Sequence, residues 1–588
     1  MREFDITGPM PSPGVTVLEA SAGTGKTWTI AALVARYVAE GHVALDDMLV
    51  VTFGRAASQE LRDKVRARLV EAERALADQD DRGDVLLKLL LAVDETERMA
   101  RLQRLREALS GFDGAAIVTI HQFCHTVLRG LGVAGDTDPN ARLVDDLDDL
   151  LDEVVDDLYL AEVRGPDAAQ VAAQLSVQTA KQLAIKAALS NPLARLEPLD
   201  AHPASTAARK VRFAQAVREE FGRRKRRLGL LSYDDLLQQL ADALEAPDSL
   251  ARQRMRNRWS VVLVDEFQDT DPTQWKVFER AFHDVPLGED KPTLVLIGDP
   301  KQAIYAFRGG DVFTYLQAKQ VAVDTATLTR NYRTDAPVLD CVNVLLEGAQ
   351  LGDPEIVVRR VAANQQDSRL AGPNTLPFRL RALTRSMVDK AALDKPLSIA
   401  VARTHVAKDL AAGVHNLLND GTTFEATRAD GTPERRVLDA GDIAVLAYAR
   451  YQLAVVREQL TQLGIPSVLG GSGTVFGTSA AADWLTLLQA VEQPHRTDRV
   501  RAAALTPFFG HTIDSLAAGG EALTEELASA VRDWLDLFRS RGIAAVFEAA
   551  LEAGMDARLL GTVNGERDLT DLRQWACEVG SADFVGGG

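Results

Sequence analysis

The spacing of apolar and polar residues divides the start of the chain into alternating strand-like and helix-like stretches. Short apolar runs occur at 15–18, 48–53 and 115–120, and helix-like stretches at 26–39 and 56–69 follow the first two. Alternation of this kind is typical of parallel strands joined by crossover helices. The pattern therefore predicts an α/β domain built on a parallel sheet.

The middle and the end of the chain depart from this alternation. Between 126 and 230, Leu and Ala recur at helical spacing without a clear strand, which predicts a helical insertion. Strands return at 261–264 and 294–297, so the first domain resumes there. After a looser region, the pattern predicts a further α/β segment that includes 443–447, and the last part of the chain is helical in pattern.

Composition and charge narrow the class of protein. The chain has 588 residues, of which 46% are hydrophobic and 26% charged, as expected for a globular protein of several domains. Its formal net charge of −18 argues against a surface that is basic throughout, although residues 223–227 form a local basic run. The cysteines lack metal-ligand spacing, and we find no apolar leader or membrane-length stretch, so we expect a cytoplasmic protein.

A glycine-rich turn between the first strand and the first helix points to phosphate binding. Small residues let backbone N–H groups close around phosphates, and the helix start adds partial positive charge. Lys26 can reach the outer phosphates, and the hydroxyl of Thr27 can bind Mg²⁺. The first position is Ala20, where the strict pattern has glycine. The turn predicts a nucleotide site made of Ala20, Ser21, Ala22, Gly23, Thr24, Gly25, Lys26 and Thr27.

An acidic pair follows the strand at 261–264. Because the ends of parallel strands meet at one edge of a sheet, we expect Asp265 and Glu266 beside the glycine-rich turn. Asp265 would hold Mg²⁺, and Glu266 would orient or deprotonate the attacking water. An acidic cluster alone is usually a solvated turn, but the apolar strand before this one favours a site.

Two later segments add polar and aromatic candidates. Gln302 could sense a γ-phosphate, and Tyr305 and Phe307 could offer ring faces to nucleic-acid bases. An aromatic pair of this kind is more often part of a core. Further along, residues 328–334 bring together Arg330, Tyr332 and Arg333, and an arginine can stabilise charge on a transferring phosphoryl group.

In their order along the chain, these motifs resemble those of the UvrD/Rep-like superfamily 1A helicases. Residues 231–237 match the segment with which this family re-enters its first motor domain, and 303–315 is similar to the RecB branch of the family. The resemblance covers motif I at 19–27, motif Ia at 52–57, motif Ic at 119–124, motif II at 265–269, motif III at 298–310 and motif IV at 331–333.

The resemblance implies an ATP-dependent 3′–5′ DNA helicase or translocase of double-strand break repair and recombination. It implies ATP and Mg²⁺ as cofactors, single-stranded DNA and duplex ends as substrates, and RecC-like and RecD-like subunits as partners. Since no glutamine stands in a clear Q-motif position before the phosphate loop, adenine specificity rests on the resemblance alone.

Carried over position by position, the resemblance assigns roles to individual residues. It makes Glu266, Gln302 and Arg333 catalytic, and it adds Glu19 and Tyr332 to the ATP site, Tyr332 lying near the adenine. The single-strand path would be lined by Thr52, Phe53, Arg55, His121, Tyr305, Phe307 and Arg308.

The resemblance also implies an order of domains. A RecA-like P-loop motor domain (1A) would occupy 1–125 and 231–345, with a helical insertion (1B) at 126–230. The start of a second RecA-like domain (2A) would occupy 346–490, and the start of a helical subdomain (2B) would occupy 491–588.

Two patterns of the family do not follow Arg333: Thr-x-His-x-x-Lys-Gly-Leu-Glu of motif V and Val-Ala-x-Thr-Arg-Ala of motif VI. The nuclease domain of the RecB branch is also missing, so we expect a truncated motor rather than a natural short relative. Two alternatives stay open. One is a fragment that binds ATP and single-stranded DNA with little turnover. The other is a regulatory P-loop protein unrelated to DNA, against which the residues resembling motifs Ic and III argue.

Overall fold

The computed structural model divides the chain into two compact units. The first combines Met1–Ala382 with Asn416–Asp439, and the second combines Leu383–His415 with Ala440–Gly588. The structure describes residues 1–131, 141–144, 146–164, 168–190, 192–285, 291–306, 309–388, 397–428, 432–470, 475–562 and 565–583.

A seven-stranded sheet forms the centre of the first unit. In chain order its strands are β1 Arg2–Glu3, β2 Gly14–Ala20, β3 Met48–Thr52, β4 Ala116–Thr119, β5 Val261–Val264, β6 Thr293–Gly298 and β7 Asp324–Leu328. Neighbouring strands all run parallel, in the order β1-β7-β2-β6-β5-β3-β4. The strand and helix predictions for the first domain and the predicted parallel sheet are confirmed.

Helices cover both faces of this sheet. Along β3, Val50 contacts one apolar cluster, whereas Leu49 and Val51 contact the other, as expected for a sheet buried on both sides. The helices of the first unit, which include those of the insertion, are α1 Lys26–Ala39, α2 Arg55–Asp78, α3 Val85–Leu91, α4 Glu95–Ser110, α5 Ile120–Leu131, α6 Asp148–Val163, α7 Ala168–Gln174, α8 Val177–Ala184, α9 Thr206–Leu228, α10 Tyr233–Ala243, α11 Leu250–Arg258, α12 Pro272–Phe278, α13 Val312–Gln320 and α14 Ala336–Leu346.

The insertion between α5 and α10 is helical, as predicted. Its helices pack around a core that includes Val154, Phe213 and Val217. At its base, Arg142–Leu143 pairs in parallel with Leu230–Leu231. The apolar pattern did not predict this pair, because two-residue strands are too short to show a periodicity.

Smaller strands follow the main sheet in the first unit. Arg330–Asn331 pairs in parallel with Ala362–Ala363. A separate antiparallel sheet consists of Leu370–Ala371, Thr423–Thr427 and Pro433–Val437.

The second unit is built from helices. Its core surrounds Trp484, whose ring stacks on Trp575 with centroids 5.1 Å apart and whose indole N–H donates to the carbonyl of Leu572 at 3.1 Å. The helices of this half of the chain are α15 Ile399–Asn419, α16 Arg450–Gln462, α17 Ser479–Glu492, α18 Thr497–Ala504, α19 Ile513–Arg541, α20 Ile543–Glu552, α21 Met555–Leu560 and α22 Gly565–Asp583.

Residues 443–447 differ from the prediction. This apolar stretch lies outside any helix or strand, and Leu446 within it is 96% exposed. A strand forms only where a neighbour satisfies its backbone groups, which local sequence does not report. In the described part of the chain, no helix combines the length and apolar character that crossing a membrane requires.

Candidate nucleotide site and the adjoining aromatic face

The carboxyl ends of four adjacent strands meet at one edge of the sheet. In the register of β2, Glu19 lies opposite Gly298 of β6, and Ala20 lies opposite Leu328 of β7. Val264 at the end of β5 lies opposite Leu296 of β6. The register therefore brings together the segments that follow these strands, although they are far apart in sequence.

The glycine-rich turn after β2 forms a phosphate loop. Gly23 and Gly25 have φ angles of 77° and 88°, in the left-handed region that favours glycine. A Cβ atom on Gly23 would lie 2.8 Å from the Cβ of Arg333, so a larger residue does not fit. Gly25 caps the start of α1, where free N–H groups and the helix dipole favour an anion. The loop has the shape and polarity that phosphates require.

Lys26, the first residue of α1, contacts the acidic pair. Its Nζ lies 2.5 Å from Oε2 of Glu266. Glu266 has a φ of 50°, a conformation that in the described residues only Gln79 and Arg82 share among residues other than glycine. Such backbone strain is concentrated at functional sites. The ion pair joins two residues that the sequence assigned to one site.

Asp265 lies at the end of β5, where its N–H donates to the carbonyl of Val51 at 2.9 Å. Burial, together with the nearby charge of Glu266, raises the pKa of Asp265 to about 6. A cation beside such a carboxyl group stabilises its charged form. Asp265 and Thr27 were predicted as the ligands for Mg²⁺, and Thr27 lies in the first turn of α1.

This small ligand set fits magnesium bound together with a nucleotide. In the described residues, no group of three or more His, Cys, Asp and Glu side chains could hold a metal. Mg²⁺ in nucleotide sites usually relies on one or two protein groups, and phosphates and water complete its shell. The site therefore fits Mg²⁺ that arrives with a triphosphate.

A layer of buried polar side chains supports the acidic pair. Gln268, which is 3% exposed, donates from Nε2 to Oε2 of Glu266 at 2.8 Å. Its Oε1 accepts the main-chain N–H of Asp299 at 2.9 Å. Asp299 in turn accepts a 2.7 Å hydrogen bond from Nε2 of Gln302, the predicted γ-phosphate sensor. In this arrangement the Gln302 amide points to Asp299.

Glu19 lies beneath the phosphate loop rather than on its surface. It is 4% exposed, and its carboxylate lies 3.3 Å from Nζ of Lys301. Lys301 also contacts Asp299 at 2.6 Å. Glu19 was assigned to the ATP site by resemblance, whereas Asp299 and Lys301 were not predicted. Both follow a buried strand closely, and this position in the sequence could have indicated that they belong to the site.

Asn331 joins the segment after β7 to the phosphate loop. Its side-chain nitrogen donates to the carbonyl of Ala22 at 2.9 Å, and its side-chain oxygen accepts the N–H of Arg333 at 2.9 Å. The N–H of Tyr332 donates to the carbonyl of Gly23 at 2.8 Å. The backbone of Arg333 is thus held against the loop, while its side chain is exposed.

A cavity of about 900 Å³ opens beside the phosphate loop. Aromatic residues Phe4, Trp28 and Tyr332 line it, and the last two are 41% and 61% exposed. Arg36 holds the N-terminal segment in place by donating to the carbonyl of Ile6 at 2.5 Å. The volume suits a small-molecule ligand, and the exposed rings can contact a planar base. Tyr332 was predicted to lie near the base, but Phe4 and Trp28 were not predicted, because no local sequence pattern indicates that their segments meet.

Aromatic side chains also gather on the segments that follow β3, β4 and β6 and at the start of α10. We call the group formed by Phe53, His121, Tyr233 and Tyr305 the aromatic face. The rings of Phe53 and Tyr305 stack with centroids 5.8 Å apart. The rings of His121 and Tyr233 lie 4.8 Å apart, and Nη2 of Arg55 donates to the hydroxyl of Tyr233 at 2.6 Å. Burial, with a smaller effect of the Arg55 charge, lowers the pKa of His121, so the imidazole is neutral at pH 7.

The predicted single-strand path also included Thr52, Phe307 and Arg308. Thr52 is 2% exposed, and its hydroxyl donates to the carbonyl of Gly54 at 3.4 Å. Phe307 and Arg308 lie outside the described residues. Tyr233 was not predicted as a site residue, although it lies in the segment 231–237 that resembles the helicase family. Its contacts with Arg55 and His121 place it on the aromatic face.

A parallel sheet with a phosphate loop after one strand and an acidic pair after a neighbouring strand defines the class of P-loop nucleotide-binding proteins. The family model of the UvrD/REP helicase N-terminal domain matches residues 9–322 of this chain. The chain belongs to the UvrD/REP helicase family, and within it to the RecB branch.

Three relatives illustrate this similarity. The chain is 50% identical over 574 residues to RecBCD enzyme subunit RecB of Mycolicibacterium smegmatis, covering 97% of this chain and 51% of that protein. It is 47% identical to the RecB subunit of Mycobacterium tuberculosis H37Rv over 97% of this chain and 51% of that protein. It is 29% identical to the RecB subunit of Escherichia coli K12 over 96% of this chain and 57% of that protein. The chain thus spans about half the length of the curated relatives that it matches.

Proposed function

We propose that this chain provides the ATP-binding motor part of a RecBCD-type DNA helicase that moves 3′–5′ on single-stranded DNA. Its role would be the processing of duplex ends in double-strand break repair and recombination, in the cytoplasm and with RecC-like and RecD-like partner subunits. The observation that carries the proposal is the 2.5 Å contact between Lys26 and Glu266, which joins the phosphate loop to the acidic pair.

In the proposed mechanism, the N–H groups of the phosphate loop and Lys26 bind the phosphates of ATP. Thr27 and Asp265 would hold Mg²⁺, which when bound would neutralise phosphate charge. Glu266 orients the attacking water and accepts its proton. Gln302 and Arg333 would act at the γ-phosphate. Around the base, Tyr332 would be joined by Trp28 and Phe4, and Glu19 would support the loop from below.

In the same proposal, single-stranded DNA lies across the aromatic face. Phe53 and Tyr305 offer ring faces on which bases can stack, and Arg55 supplies a positive charge for phosphates. His121 and Tyr233 would contact the same strand, and Phe307 and Arg308 are proposed to extend this surface. Since stacking does not distinguish bases, binding should tolerate any sequence.

The domain order proposed from the resemblance assigns these parts to motor domain 1A, at 1–125 and 231–345. The helical insertion 1B would occupy 126–230. The start of domain 2A would lie at 346–490 and that of the helical subdomain 2B at 491–588.

Two titrations on the purified chain test the proposal. A fluorescent ATP analogue should bind in the presence of Mg²⁺, and a labelled oligothymidylate should bind with an affinity that falls linearly with the logarithm of salt concentration. An oligouridylate of equal length serves as the comparison for RNA. Nucleotide binding without any DNA binding would reject the helicase proposal in favour of a regulatory P-loop protein.

A further inference from the structure

A continuous series of short contacts runs from the phosphate loop to the segment that carries the aromatic face. Lys26 contacts Glu266 at 2.5 Å, and Glu266 accepts from Gln268 at 2.8 Å. Gln268 accepts the N–H of Asp299 at 2.9 Å, and Asp299 accepts from Gln302 at 2.7 Å. A few residues further on, the chain reaches the ring stacked on Phe53. Polar contacts therefore link the nucleotide site to Gln302, and the chain itself leads from Gln302 to Tyr305 on the aromatic face.

Gln268 joins the two halves of this series. Its amide nitrogen donates to the carboxylates of Glu266 and Asp269, while its amide oxygen accepts the backbone N–H of Asp299. It is only 3% exposed, so water cannot readily replace these partners. The end of β6 packs directly against it, since a Cβ on Gly298 would lie 2.7 Å from Oε1 of Gln268. A displacement of Glu266 therefore reaches Asp299 through one side chain.

The contact between Lys26 and Glu266 gives this series two arrangements. The phosphates of a nucleotide carry several negative charges and compete with the single carboxylate of Glu266 for the same ammonium group. When Lys26 turns to a phosphate, Glu266 keeps Gln268 as its hydrogen-bond donor. Loss of its ammonium partner would release Glu266 from one of its two contacts, and a shift of Glu266 would be passed to Gln268.

We propose that Gln268 is a positioning residue that couples the occupation of the phosphate loop to the segment at 299–305, and thereby to the affinity for single-stranded DNA. The inference rests on the proposed function. Coupling between two binding sites is a free energy and is reciprocal. The factor by which a nucleotide changes DNA affinity must therefore equal the factor by which DNA changes nucleotide affinity.

The test compares Gln268→Glu with Gln317→Glu. The first variant keeps an oxygen for the N–H of Asp299 but replaces the donor to Glu266 by a repelling carboxylate. The second makes the same change of charge at an exposed position of α13. The affinity for a labelled oligothymidylate is measured with and without a non-hydrolysable ATP analogue and Mg²⁺, and the affinity for the analogue with and without DNA.

The wild-type chain and Gln317→Glu should give one coupling factor of about fivefold or more in both directions, whereas Gln268→Glu should bring it to about one. Gln268→Met, which keeps the length without polar atoms, should lose the coupling as well, and thermal unfolding confirms that each variant is folded. Wild-type coupling retained in a folded Gln268 variant would overturn the inference, as would a factor of one in the wild type. Failure of the wild-type chain to bind nucleotide or DNA would reject the proposed function itself.

Discussion

The side-chain amide of Asn331 lies 2.9 Å from the carbonyl oxygen of Ala22, and it connects the segment after β7 to the phosphate loop. The same side chain accepts the N–H groups of Arg333 and Thr334 at 2.9 and 2.8 Å. Asn331 is 4% exposed, so these bonds are shielded from water. One buried side chain thus sets both the shape of the loop and the position of the arginine.

Replacing Asn331 by Ala should therefore weaken nucleotide binding, although Asn331 is not proposed to touch the nucleotide. The carbonyl of Ala22 and the N–H groups of Arg333 and Thr334 lose their partner, and a hydrogen bond of this kind contributes about 0.5–1.5 kcal/mol. Thermal unfolding and titration with an ATP analogue measure the two effects. Asn331→Asp retains the acceptor and should be affected less in stability. Equal nucleotide affinity in all three chains would contradict this role.

Lys26→Met should abolish binding of Mg·ATP, because the phosphates lose their principal cation. The variant should remain folded, since Met keeps the length of the side chain and the ammonium group of Lys26 contacts Glu266 alone among the hydrogen bonds found in the described residues. Equilibrium titration with a fluorescent nucleotide measures the change. Lys64→Met, at an exposed position of α2, is the matched control and should bind like the wild type. An unchanged affinity in Lys26→Met would refute the assignment of the phosphate loop.

Tyr305→Ala and Phe53→Ala should each weaken binding of single-stranded DNA by about 1–3 kcal/mol, the usual contribution of base stacking. Because the two rings stack on each other, the double variant should lose less than the sum of the single losses. Fluorescence anisotropy with a labelled oligothymidylate measures these affinities. Phe313→Ala removes a ring that is 56% exposed on α13 and serves as the control. Full additivity would indicate that the rings contact DNA independently.

Arg55→Ala should reduce the salt dependence of DNA binding. If the guanidinium neutralises one phosphate, the slope of log affinity against log salt should fall by roughly one. Tyr233→Phe removes the hydroxyl that Arg55 contacts at 2.6 Å and should leave the slope nearly unchanged, since no charge is lost. Titrations at several salt concentrations give both slopes. An unaltered slope in Arg55→Ala would place this residue outside the phosphate path.

Asp265→Asn should stabilise the fold at neutral pH. Burial raises the pKa of Asp265 to about 6 in the folded chain, whereas an exposed aspartate has a pKa near 3.9. Below the lower value the carboxyl group is protonated in both states and has no effect on stability. As the pH rises between the two values, the unfolded state ionises while the folded state keeps its proton, so the wild type loses stability. Above the higher value this loss reaches its limit of roughly 3 kcal/mol.

Thermal unfolding at about pH 4 and about pH 7 measures this effect, because the two values bracket the range in which it develops. The advantage of Asp265→Asn over the wild type should be larger at the higher pH. Asp113→Asn, at a fully exposed position, controls for the loss of one negative charge. An advantage of equal size at both pH values would show that ionisation of Asp265 is not its cause.

Much of the first domain follows from local sequence. Branched apolar runs such as residues 261–264 form strands, and Gly25 before Lys26 marks the start of a helix at a phosphate loop. Short motifs of this kind have a strong local physical cause, so their types and order are set before tertiary contacts form. The parallel sheet follows from the same alternation.

The tertiary structure decided which side chains of the site contact one another. The contacts of Lys26 with Glu266, of Gln268 with Asp299 and of Asn331 with Ala22 join residues that are far apart in sequence. They depend on the register of parallel strands, since a strand displaced along its neighbour would carry its terminal side chains away from the site. The sequence by itself determined which chemical groups the site contains, whereas the packing of β2, β5, β6 and β7 side by side decided which of them touch.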